Sequence, residues 1–152
     1  MTKAIWDEMI KHGAYAEELD WFAYDNSGHI GVFTAVGFAP IPYKVKMSFE
    51  NYINLKEIIE LLPTVTSSKL VTIEVGDFSS WLSNANKGLF AFDFQDFSRA
   101  TLKNQYDLIA SPSTPLNLQD LKLPQNILSS IIKLDCNFSD GDLKIEKINE
   151  FS

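Results

Sequence analysis

The residues best suited to moving a proton are Asp25 and His29, which bracket the tripeptide Asn26-Ser27-Gly28. A carboxylate beside an imidazole fixes its tautomer and favours its charged form. The same placement is common in turns, where Asp bonds its own backbone, and a dyad with neither nucleophile nor metal has no mechanism. Asp93, between Phe92 and Phe94 and followed by Asp96, could hold a hard cation or share a proton. Such a cation needs about six oxygen ligands, and no calcium-loop spacing is present. Asp93 is therefore expected on the solvent face opposite the phenylalanines, with Asp96 capping a turn.

The remaining nucleophiles are weaker. Cys136 is expected at the end of a helix and after Asp135, both of which disfavour a thiolate, so it reads as a small core residue. Ser79 and Ser80 open a helix but lack a G-x-S-x-G elbow. One Cys and two His cannot build a zinc set, and no Gly-rich phosphate loop occurs. No catalytic residue, metal or cofactor is assigned, and the chain is expected not to be an enzyme. A hydrolase remains the alternative if Asp25, His29 and Asp93 converge on one cleft.

Binding has more support from the residues. Trp21, Phe33, Phe38 and Tyr43 lie on or just after a hairpin, beside the proline-framed segment Gly37–Pro42. Aromatic anchors in an acidic surround suit an interface with a basic protein. Thirteen basic against twenty acidic side chains give a net charge of −7, and Arg99 is the only arginine. Without a basic cluster, nucleic acid and anionic membranes are excluded as partners. The binding candidates are Trp21, Asp25, His29, Phe38, Tyr43 and Asp93. A second alternative is a small apolar ligand held between the hairpin and the helices.

These residues need elements to position them. A helix is expected over Thr2–His12, and Asp20–Asp25 pairs with His29–Val36 across a three-residue loop with left-handed Gly28. That register sets Trp21 against Phe33 and Phe22 against Val32. Both faces are apolar near the middle, so the hairpin should be central or strongly coiled. Ser48 caps a helix to Leu62, Lys69–Val75 reads as a strand, and Asp77 caps a helix through Asn86. Strands follow at Leu89–Phe94 and Gln105–Ala110. Pro124 opens a helix bearing Ile127, Leu128, Ile131 and Ile132, and Leu143–Ile148 is a last strand. Elements interspersed in this way predict an α+β fold, with one mixed, mostly antiparallel sheet and helices packed on it.

The 152 residues suit one domain spanning 1–152, with 45% apolar composition sufficient for a core without disulfides. The lone cysteine fits a reducing compartment, and Asp7 and Glu8 interrupt any leader-like apolar run. Cytoplasmic localisation is expected.

Glu18-Leu-Asp-Trp-Phe-Ala-Tyr-Asp25, Gly28-His-Ile-Gly-Val-Phe-Thr34, Gly37 and Pro40-Ile-Pro42 together resemble a pattern found in small bacterial proteins. Gly88-Leu-Phe-Ala-Phe-Asp93, Tyr106–Pro112 and Pro115-Leu116 are similar to their second half. Such proteins resemble the immunity components of bacterial polymorphic toxin systems, including relatives of the SMI1/KNR4 type. The resemblance implies a cytoplasmic antidote that binds a toxin domain and blocks its site without catalysis, and the acidic charge adds that such a toxin domain would be basic. Asp20, Trp21, Asp25 and Gly28 match the pattern best and look structural.

Overall fold

The computed structural model describes residues 1–13 and 15–151, with backbone alone at 15, 16, 97 and 98. Among the described residues there are four α-helices and a single seven-stranded sheet. The helices are α1 (Lys3–His12), α2 (Phe49–Glu60), α3 (Ser79–Asn86) and α4 (Gln125–Leu128). The strands are β1 (Tyr15–Tyr24), β2 (Ile30–Gly37), β3 (Ser68–Leu70), β4 (Phe90–Asp93), β5 (Gln105–Pro112), β6 (Ile132–Lys133) and β7 (Leu143–Lys144). Their order is β3-β5-β4-β2-β1-β6, with β7 also pairing β5. Only β2–β4 and β1–β6 run parallel, so the fold is α+β with a mixed, mostly antiparallel sheet.

The hairpin adopts the expected register, Trp21 opposite Phe33 and Phe22 opposite Val32, and β2 is central between β1 and β4. Asp25 closes the turn. Its carboxyl oxygens accept hydrogen bonds from the N–H groups of Ser27, His29 and Phe138, each at 2.9 Å. Gly28 supplies the left-handed corner at φ 80°. Gly31 is needed for a different reason: a Cβ there would lie 2.9 Å from the rings of Phe33 and Phe138. Only hydrogen allows those rings to close over the strand.

That closure builds the larger core. Trp21 stacks on Phe33 at 4.3 Å, Phe33 stacks on Phe92 at 4.7 Å, and Phe138 meets both phenylalanines edge-on. Trp21 Nε1 donates to Tyr106 Oη, which donates to the Pro40 carbonyl, so the core tethers the proline-framed loop. The opposite face packs Phe22, Val32 and Ala91 beneath Leu55 and Ile59 of α2 and Ile127 of α4.

Three expected elements are shorter than their sequence pattern. The strand expected through Val75 stops at Leu70, because Thr72 Oγ1 accepts from Glu74 N–H and turns the chain away. Beyond it, β5 is taken up by Asp142, whose carboxylate accepts from Leu108 N–H, and then by β7. The helix after Pro124 is a single turn, and Ile132 instead pairs in β6 alongside β1. The last strand ends at Lys144, followed by 3-10 turns. Cys136 consequently follows a strand and not a helix.

Replacing Asp25 by Ala strands three backbone donors, so Asp25→Ala should lose about 3 kcal/mol or more of stability in urea unfolding. Asp25→Asn keeps one acceptor oxygen and should fall between it and the parent.

Candidate functional site

Alternation along a strand sends neighbouring residues to opposite faces. The row Trp21–Phe33–Phe92 on one face therefore dictates the row beside it on the other. Asp20 lies opposite Thr34, Thr34 opposite Asp93, and Asp93 opposite Asp107. Three carboxyl groups and one hydroxyl thus line up across four consecutive strands.

Their surroundings differ. Thr34 Oγ1 donates to Asp20 at 2.7 Å. Burial still raises the Asp20 pKa, against the Thr34 hydrogen bond and the nearby Lys56. Asp107 is buried and held by Arg99 and by Gln105 Nε2. Arg99 also pairs with Asp96 at 3.0 Å. Burial opposes ionisation of Asp96, but the N–H groups of Lys103 and Asn104 and the Arg99 guanidinium outweigh it and lower its pKa. Asp96 thereby pins the loop behind Arg99, as a turn-capping residue does.

Asp93 is the exception. Among the described residues no hydrogen-bond donor reaches its carboxyl group. Burial, then the charges of Glu18, Asp107 and Asp20, push its pKa up to about 7, with Arg99 acting weakly the other way. It is half-buried and does not simply face solvent. Beside the Arg99–Asp107 pair opens a cleft of about 260 Å³, walled in part by Ile73, Lys103 and Asp142. Ile73 at its rim is 96% exposed.

The candidates read from sequence scatter over this frame. Trp21 is wholly enclosed in the core, which corrects its reading as a surface anchor; Phe33 shares that fate. Asp25 is 1% exposed and occupied by backbone donors, so its carboxyl group is likewise internal. His29 is partly buried and stacked on Phe90, with Nδ1 3.8 Å from Asp25. Phe38 and Tyr43 are open to solvent, at 82% and 75% exposure. The neighbours of Tyr43 on its 3-10 turn are Lys44 and Lys46, so the surround there is basic.

Asp25, His29 and Asp93 do not converge. His29 precedes β2, whereas Asp93 sits opposite Thr34, five residues on, or about 17 Å along the strand. Among the described residues no group of three His, Cys, Asp or Glu is arranged to hold a metal ion. Burial, followed by Asp25 and other nearby carboxylates, raises the Cys136 thiol to about 12, so it is no nucleophile.

Sequence reasoning missed Asp20, Thr34 and Asp107. The hairpin register already paired Asp20 with Thr34; what it lacked was the parallel pairing of β2 with β4. No helix is long and apolar enough to cross a membrane among the described residues. No family model, curated protein or solved structure matches the chain.

Asp93 makes the fold pH-sensitive in a definite sense. An unfolded Asp ionises near 3.9, while the folded carboxyl stays protonated to about 7. Its favourable contribution is full below the unfolded value and is lost as pH rises through the folded one. After discounting for partial solvation, Asp93→Asn should stabilise the protein at pH 8 by on the order of 1–2 kcal/mol relative to its effect at pH 4. Urea unfolding at the two pH values measures the difference.

Proposed function

We propose that the chain is a non-catalytic, cytoplasmic binding protein, an immunity-type inhibitor that seats a basic toxin domain against its carboxylate row. The observation that carries this reading is Asp93: a carboxyl group in a line of acids, without a hydrogen-bond donor among the described residues, and poised near neutrality. A partner's Lys or Arg side chain placed over it supplies the missing counter-charge. Inhibition then needs only that the bound surface cover the toxin's site.

The remaining chemistry is consistent with that role. The net charge of −7 steers a basic partner toward the chain. Phe38 follows β2 and Ile73 stands at the rim of the cleft lined by Asp107, so both offer exposed apolar anchors. Asp25, His29 and Asp93 are too dispersed for a shared catalytic step. The likeness of the hairpin and proline-framed segments to immunity proteins points the same way.

Affinity purification from the native host should recover a basic protein, and co-expression should rescue growth when that partner is toxic. Recovery of no basic partner, together with no protection, contradicts the reading. Binding a cation favours ionised Asp93, so the complex releases a proton and tightens as pH rises through about 7. Affinity should increase about three- to tenfold from pH 6 to pH 8. Asp93→Asn should flatten that dependence, and Phe38→Ala should weaken binding at both pH values.

A further inference from the structure

A second recess opens where the 3-10 turn Tyr43–Met47 meets Phe22 of the hairpin and α2. It encloses about 280 Å³. Phe22, Tyr52 and Leu55 are buried side chains that line it, and Val45 and Met47 form part of the wall contributed by the turn. The Tyr52 ring is held rigid by stacking on Trp6 at 4.7 Å. A preformed apolar recess of this size, just under the usual range of about 300–1,000 Å³, suits one short acyl chain or one aromatic ring.

Its charge is unlike that of the rest of the molecule. The chain carries twenty Asp and Glu, yet none of the described residues lining this recess is acidic. The one formally charged lining residue is Lys44, which forms no ion pair or hydrogen bond among the described residues. The carboxylates whose charges reach Tyr52, Asp20 and Glu60, are held by Thr34 and Lys56. Nearby hydroxyls are also committed: Ser129 Oγ and Ser130 Oγ donate to the carbonyls of Asn126 and Ile127. Lys44 is therefore the cationic donor at the mouth, and Ser48, the N-cap of α2, lies on the same rim.

We infer that this recess binds a small amphipathic carboxylate, its apolar body over Phe22, Tyr52 and Leu55 and its anionic head at Lys44. An amine of equal length would bring a like charge to Lys44 and lose the pairing, so the site discriminates by head-group sign. This inference does not rest on the toxin-binding reading: the recess shares no lining residue with the carboxylate row.

Calorimetric titration of the full chain with octanoate and with octylamine tests it. Octanoate should bind at one saturable site, at least about tenfold more tightly than octylamine. Lys44→Glu, on an exposed turn, should weaken octanoate about tenfold or more and reverse the preference. Ser130→Phe fills the recess and should remove binding of both, with a cooperative thermal transition confirming that the variant is folded. Equal affinity for the two probes, non-saturable binding, or an unchanged octanoate affinity in Lys44→Glu would overturn the proposal.

Discussion

Cross-strand stacking of Trp21 on Phe33, continued onto Phe92, fixes the register of the three central strands. Each aromatic pair adds about 0.5–1.5 kcal/mol beyond the area it buries. The larger effect is on what cannot form. Sliding the hairpin by one residue would carry Asp20 and Thr34 into the aromatic core and put Trp21 and Phe33 among the helices of the other face. Burying an unpaired carboxylate costs several kcal/mol, so the slipped state is strongly disfavoured. Gly31 permits the ring closure that locks the arrangement, and Asp25 closes the turn that starts it.

The acids on the second face follow from that constraint. Once Trp21, Phe33 and Phe92 share a row, Asp20, Thr34 and Asp93 must share the next, and β5 extends it with Asp107. Of the three carboxyl groups, two have internal partners: Asp20 has Thr34, and Asp107 has Arg99 and Gln105. Asp93 is left to the field of its neighbours, and repulsion plus burial hold its proton. A group destabilised in this way in the free protein gains most from an external cation. The same sheet therefore accounts for a stable core and for an electrostatically frustrated surface.

Local signals made part of this legible beforehand. The turn Asn26-Ser27-Gly28, the alternation around Trp21 and Val32, and the Ser48 cap each have a short-range physical cause, and each element formed where its cause lies. The misread parts depend on distant partners. Val71, Ile73 and Val75 alternate like a strand, but after Val71 and Thr72, which donate to the Ile109 carbonyl, Asp142 and β7 occupy the β5 edge that Ile73 and Val75 would need. Ile131 and Ile132 have helical spacing, yet the open edge of β1 takes Ile132 into a strand. Trp21 read as an anchor because aromatic type does not distinguish a core face from an exposed one when both faces of a hairpin are apolar. The acid row was invisible for the same reason as the β2–β4 pairing, since parallel neighbours separated by two helices leave no local trace.

The central claim is that strand register, set by the aromatic stack, leaves Asp93 protonated near neutrality within a line of carboxyl groups. Carbon-detected NMR titration of the side-chain carboxyl groups tests it most directly. The Asp93 carbon should shift with a midpoint near 7. A midpoint near 4, as for an isolated aspartate, would contradict the claim.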